Sequence, residues 1–414
     1  MNYYIKNIHV NLLYHLHNFD IPISDEKTPH LMLTGKNGSG KTVLLNAIAS
    51  FLDNIKNDKS LDFTKYREHL EYNSNRLSQG LKDAQGLMQT KNSINFYQSQ
   101  IDKLFGQVEL DFVDVAKMIE DFQEGNFILA FYQAARKPQM IEPKNPTKPN
   151  LNVNGGVRNT ATNQFLNFLS DLKIQEALAR NEKQFEDADQ IAQWFASFED
   201  LLRQIYQDTE LKLKFNYKDY SFLICTEGKE FKFTQNSDGF AAILDIVADL
   251  ILKMQTPDNL TRAYQKKGIV LIDEVETHLH LELQKVIMPI LAKVFPNIQF
   301  IITTHSPFVL NSLDNAVAFD LEHREVIDEL TQYSYEALAE GYFGVSSESS
   351  YAEMQLDTLK GLLGKGQITD ADKVTIKHLL IDLEKVSEAV SPNIVGAYLT
   401  LKNKYASVIK SVMP

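Results

Sequence analysis

The sequence is almost without cysteine. Cys225 is the only thiol in 414 residues, which excludes an intrachain disulfide and a cysteine-built zinc site. That usage suits a reducing, cytoplasmic compartment. Long apolar runs are also missing: residues 240–252, the most apolar stretch, are interrupted by Asp245 and Asp249 and cannot span a bilayer. The opening MNYYIKNIHV has no charged segment leading into an apolar one, so no signal peptide is expected. Nor is there an excess of basic charge. Lysine and arginine number 42 against 54 acidic residues, and the resulting net charge of −12 repels a nucleic-acid backbone at long range. With 44% hydrophobic and 23% charged residues the composition is globular, not disordered or collagenous. A chain of this length should form about two or three domains. It buries roughly three quarters of its unfolded surface without a metal or disulfide.

What is present alternates between strand-like and helical patterns. Three β-rich runs open the chain at Tyr3–Val10, Leu16–Ile21 and His30–Thr34. The third leads into GKNGSGKT and then LLNAIASFL, whose apolar residues recur at helical spacing. Residues 60–100 are polar and predict helices and loops outside the main core, before strands resume at Gln107–Val113 and Phe127–Phe131. Residues 138–160 carry four prolines and the pair Gly155-Gly156, which read as an exposed loop. A helical stretch over Asn163–Asp208 precedes three strand candidates, LKLKFNY, SFLICTE and EFKFT, and an amphipathic helix over Phe240–Met254. The runs GIVLIDE and IQFIITTHSP are buried strands separated by a helix. Apolar strands alternating with helices predict an α/β fold with a mostly parallel sheet covered on both faces. After Glu348 the pattern is helical throughout.

Gly35-Lys36-Asn37-Gly38-Ser39-Gly40-Lys41-Thr42 fits G-x-x-x-x-G-K-[ST] at every fixed position. Glycines let the backbone curl so that successive N–H groups face phosphate oxygens, and the next helix adds its positive end. Lys41 is expected on the β- and γ-phosphates of ATP, and the Thr42 hydroxyl on Mg²⁺. Asp273-Glu274 ends a central strand, the end where ligands bind in open α/β sheets. Asp273 suits Mg²⁺ through a water, and Glu274 suits polarisation of the attacking water. His305 closes the next strand in a parallel position, where an imidazole can bond a γ-phosphate oxygen. His278 and His280, like His15 and His17, have i, i+2 spacing with no third ligand nearby. The first pair reads as a loop packing across a subunit interface, not as a metal site.

GKNGSGKT, IVLIDE, ETHLH and IITTHSP, in that order, resemble the ABC-type ATPase heads of the SMC, RecF and OLD class. The nearest resemblance is to stand-alone ABC ATPases of bacterial anti-phage modules such as Septu, PARIS and some retrons. It covers roughly residues 1–55, 105–135 and 210–320. It implies a P-loop NTPase of ABC type with an N-terminal antiparallel β element, a helical insertion and a helical tail. Lys41 and Thr42 would then be Walker A residues, Asp273 the Walker B acid, Glu274 the catalytic base and His305 the switch histidine. Glu276-Thr277-His278 would form the D-loop. The segment Asn236-Ser237-Asp238-Gly239-Phe240 stands where the family places its signature, reading NSDGF in place of LSGGQ. Ser237 and Gly239 would cap the γ-phosphate on a second protomer, so that ATP joins two heads into a homodimer or higher oligomer. Gln133, at the end of an apolar strand, is the candidate Q-loop glutamine and Mg²⁺ contact, a plain polar strand end being the other reading. The expected organisation is 1–60, the first part of the core with Walker A, and 61–105, a helical insertion. Core strands over 106–137 and a loop and helical insertion over 138–210 come next. The second part of the core spans 211–345, and a helical tail spans 346–414.

OLD proteins append a nuclease domain, but no cluster of carboxylates for two-metal cleavage and no HNH-like His–Asn set follows the sheet here. Any nuclease or toxin activity is therefore expected in a separate effector protein, held by an ATP-gated scaffold. The alternative is a RecF- or SMC-like DNA-binding ATPase of DNA repair or maintenance. Arg136, Lys137, Lys144, Lys148 and Arg158 against Glu142 give a local +4 for DNA or an acidic partner. No membrane partner is expected.

Overall fold

The computed structural model describes residues 4–23, 30–56, 62–80, 83–136, 140–145, 147–148, 156–255, 264–327, 335, 337–338, 350–365, 367–386 and 391–412. Part of the expected 138–160 loop, and Lys137 just before it, lie outside the described residues. Strands β1 (Ile5–Leu13) and β2 (Leu16–Pro22) pair antiparallel through a turn at Tyr14 and His15. Tyr14 has φ 56°, the left-handed geometry that a tight hairpin turn requires. β3 (His30–Thr34), buried along its length, opens the central sheet. Helix α1 (Lys41–Lys56) follows the glycine loop and buries Leu44, Leu45, Ile48, Leu52 and Ile55, a stripe at helical spacing that docks it on the sheet.

α2 (Asp62–Ser78) and α3 (Ala84–Phe105) pack against each other as a hairpin, with the Asp83 side chain capping α3 through the Gly86 amide at 2.5 Å. β4 (Val108–Phe112) returns to β1, giving an antiparallel sheet of order β2-β1-β4. α4 (Val115–Gln123) then leads to β5 (Phe127–Tyr132), which belongs to the central sheet. The two strands expected over 106–137 thus lie in different sheets. The expected helical stretch divides into α5 (Phe165–Asn181) and α6 (Phe185–Tyr206), with Lys183 at φ 61° in the break. β6 (Lys212–Asn216), β7 (Ser221–Thr226) and β8 (Lys229–Lys232) form a separate antiparallel meander. Aromatic stacking joins it to α6, with Phe195 on Phe222 at 6.0 Å and Phe198 on Phe233 at 6.4 Å.

α7 (Asp238–Met254) is buried nearly all round. Its Asp249 is fully buried yet satisfied: it accepts from Tyr132 Oη at 2.7 Å and the Ala161 amide at 2.7 Å, and pairs with Lys253 at 2.7 Å. β9 (Lys267–Ile272), α8 (Leu281–Val294), β10 (Ile298–Thr303), α9 (Pro307–Leu310), β11 (Ala316–Asp320) and β12 (Glu325–Ile327) complete the layer. The central sheet has order β12-β11-β3-β10-β9-β5, and every pair is parallel except β11 with β12. The register is level at the carboxyl ends: Leu33 faces Thr303, and Ile272 faces both Ile302 and Tyr132. Gly35, Gln133, Asp273 and Thr304 consequently fall along one edge, the ligand edge of such sheets.

The chain divides into two compact units, Met1–Tyr335 and Glu336–Pro414. The second contains α10 (Ser350–Leu363), α11 (Asp370–Leu383), α12 (Pro392–Lys404) and α13 (Ala406–Val412) around a core that includes Leu359, Ile376, Leu380 and Tyr398. A Thr369–Asp372 capping box starts α11. Among the described residues no helix is long and apolar enough to cross a membrane.

Candidate functional site

The loop between β3 and α1 turns at Gly35, Gly38 and Gly40, which have φ of 129°, 85° and 100°. At Gly40 a β-carbon would also stand 2.7 Å from Leu16 Cδ1, so the β1–β2 hairpin presses directly on the loop. Lys41 curls back over this loop. Its Nζ donates to the carbonyls of Gly35 at 2.7 Å and Lys36 at 3.0 Å and to Ser39 Oγ at 3.4 Å. Burial lowers the Lys41 pKa, and the carboxylates of Glu274, Glu276, Asp273 and Asp320 oppose that shift. No acidic residue occupies the first turn of α1, so nothing there competes with an anion for the exposed amides.

Two strands away, across β10, Asp273 is buried and its Oδ1 accepts from Thr42 Oγ1 at 3.1 Å and Thr303 Oγ1 at 2.7 Å. The Asp273 amide donates to the Tyr132 carbonyl at 2.8 Å, which extends the β9–β5 ladder by one bond. Glu274 has φ 45°, an uncommon conformation for a residue with a side chain. Its amide donates to Thr303 Oγ1 at 2.7 Å, and its Oε2 accepts from Thr277 Oγ1 at 3.2 Å. His305 stands on the neighbouring strand end, its amide donating to Glu276 Oε1. Burial and the Lys41 charge hold the imidazole below its usual pKa, so the ring is neutral at pH 7. Burial raises the Glu276 carboxyl, whose Oε2 has no hydrogen-bond partner among the described residues.

A cavity of about 320 Å³ gathers these groups. Asn37, Gly38, Gly40, Lys41, Thr42, Glu274 and His305 line it, together with Leu13, Tyr14 and His15 of the β1–β2 turn. Gly35, Lys36 and Ser39 complete the loop behind it, where Lys36 pairs with Glu322 at 2.8 Å. Gln133 is exposed beside Asp273 at the sheet edge and is not among the cavity residues. Ser237 and Gly239 also lie apart from it, at the start of α7. Ser237 is exposed, whereas Gly239 is buried, and a β-carbon there would meet the His278 carbonyl at 2.6 Å. Gly239→Ala is therefore expected to cost about 1–3 kcal/mol through overpacking, seen as a lowered thermal midpoint; an unchanged midpoint would refute this contact.

The glycine loop after β3, the acids past β9 and the histidine past β10 thus stand on one sheet edge. Residues 141–311 match the family model described as "AAA domain, putative AbiEii toxin, Type IV TA system". Over 397 residues the chain is 26% identical to the Septu protein PtuA of Bacillus mycoides (strain KBAB4), covering 92% of this chain and 50% of that protein. The chain is similar to ATPases of anti-phage modules. It is also 44% identical over 82 residues to the retron Ec83 probable ATPase of Escherichia coli, covering 20% and 15% of the two chains. Against the retron Vc95 probable ATPase of Vibrio cholerae it is 33% identical over 138 residues, 32% and 25% of the chains. The chain thus spans at most half the length of these curated relatives. Among solved structures, the SMC head domain from Thermotoga maritima is similar at a TM-score of 0.35 and 13% identity, covering 77% of this chain and 94% of that one.

Several residues at the site are not legible as such in the sequence. Tyr14 and His15 reach the cavity only because the hairpin folds over the loop. Thr303 acts by bonding to Asp273 and Glu274, and Glu276, expected only as part of a D-loop, by accepting from the His305 amide. The basic run is not one surface: Arg136 turns into the sheet edge, while Arg158 stacks over Phe131 at 4.8 Å and donates to Asn46 Oδ1 at 2.8 Å. Lys144 and Lys148 are exposed.

Proposed function

We propose that the chain binds and hydrolyses ATP and acts as an oligomeric, ATP-gated sensor or scaffold controlling a separate nuclease or toxin in anti-phage defence. The observation that carries this reading is the meeting of Lys41, Thr42, Glu274 and His305 in one cavity, with Asp273 bonded to Thr42. The loop amides and Lys41 bind the triphosphate. Tyr14, an exposed aromatic at the mouth, offers a face for the base.

The Thr42 hydroxyl and Asp273 carboxylate, 3.1 Å apart, supply oxygen-only donors of the kind Mg²⁺ takes when phosphates and waters complete its shell. They would hold the ion, with Gln133 beside them, and the ion would neutralise charge on the β- and γ-phosphate oxygens. Glu274 polarises the attacking water. The neutral His305 ring bonds a γ-phosphate oxygen. Ser237 and Gly239 complete the site of a second copy, so turnover requires at least a homodimer.

Relatives named for Septu and retron systems support the defence reading. Phosphate release by the purified chain, with a nucleotide-dependent rise in mass and a stable complex with an effector encoded beside it, is the expected result. Turnover stimulated by DNA, with no such complex, would replace the scaffold reading by that of a DNA-binding ATPase. Absence of phosphate release would reject hydrolysis itself.

A further inference from the structure

Arg136 stands just beyond β5 and is tied to the backbone that carries both acids. Its Nη1 donates to the carbonyls of Asp273 at 3.2 Å and Gln133 at 3.4 Å, and its Nη2 donates to the Glu274 carbonyl at 3.3 Å. The two acid carbonyls lie past the last residue of β9, outside the strand ladder; that of Glu274 also accepts from the Thr277 amide at 3.0 Å, whereas that of Asp273 takes its donor from Arg136. A planar guanidinium can serve two neighbouring carbonyls at once, which a lysine ammonium cannot do with the same fixed geometry. Asp245, buried on α7, is the carboxylate that acts most strongly on the Arg136 charge, ahead of Asp273, Glu276 and Glu274.

We infer that Arg136 is a positioning residue for Asp273 and Glu274. It fixes the backbone that places their carboxylates. Glu274 is the residue most in need of such a brace. Its φ of 45° persists only where the surroundings impose it, and Arg136 grips its carbonyl while Thr303 holds its amide. A cation surrounded by Asp245, Asp273, Glu274 and Glu276 also offsets the mutual repulsion of acids crowded at one sheet edge.

The inference rests on the hydrolysis reading above, and two measurements separate them. In the full chain, Arg136→Lys keeps the charge but loses the fork, and Arg136→Ala loses both. Arg136→Lys is expected to lower kcat about tenfold or more, with KM and equilibrium binding of a fluorescent ATP analogue within about twofold. Amide hydrogen exchange across residues 273–279 should accelerate in the same variant. Wild-type kcat with unaltered exchange would overturn the inference, as would a loss confined to KM and nucleotide binding. Should Arg136→Ala fail to fold, Arg136→Lys carries the test. Should the unmutated chain release no phosphate, the hydrolysis reading falls and the exchange measurement alone decides the role of Arg136.

Discussion

Lys41→Ala should abolish measurable nucleotide binding. The ammonium lies over the loop, nine tenths or more screened from solvent at 6% relative exposure, and is held by the Gly35 and Lys36 carbonyls. Glu274, Glu276, Asp273 and Asp320 all act on it. Removing it leaves an incoming triphosphate facing carboxylates without a counter-charge from the loop. Loss of one partner from a buried charge pair typically costs about 3–5 kcal/mol, a weakening of roughly a hundredfold or more in Kd. Equilibrium titration with a fluorescent ATP analogue checks this, and affinity equal to that of the unmutated chain would refute the phosphate-loop assignment. Thermal denaturation run alongside identifies a trivial loss of fold, since the substitution also removes three hydrogen bonds within the loop.

Glu274→Gln is expected to separate binding from turnover. The amide is nearly the same size, and its oxygen still accepts from Thr277 Oγ1, now 3.2 Å from Oε2. The backbone contacts to Thr303 and Arg136 do not involve the side chain and should persist. What disappears is the capacity to take a proton, worth about 10²–10⁴-fold in a general base. Turnover should fall by that order while ATP is retained, and a nucleotide-bound dimer should accumulate. Phosphate-release kinetics and light scattering report the two halves independently. A variant that stays monomeric at saturating ATP would count against a site shared between chains. Undiminished phosphate release would remove Glu274 from its proposed role.

Both results depend on contacts of unequal legibility. The strand, glycine loop and helix at 30–56 could be read directly, because turn chemistry and helical period are local properties of sequence. The apolar runs ending at Ile272 and Thr303 were readable for a similar reason: strands buried on both faces have no polar alternation to disguise them. Which sheet a strand joins is not local. β4 (VELDF) alternates and β5 (FILAFY) is apolar throughout, but neither segment names its partner: β4 pairs with β1 and β5 with β9.

Composition and motif order by themselves determined the α/β class, the turning glycine loop and the positions of the two acids and the histidine along the chain. The folded structure alone decided which side chains brace them. Arg136 is indistinguishable in sequence from a solvated cation of a basic run, and Thr303 from an ordinary polar residue, while Glu276, expected in a D-loop, gives no sign there of its bond to the His305 amide. Their bonds to Asp273, Glu274 and His305 exist only because parallel strands far apart in the chain end at one level. Hairpin closure brings Tyr14 to the same cavity for an equally non-local reason: Leu16 packs against Gly40, where no side chain intervenes.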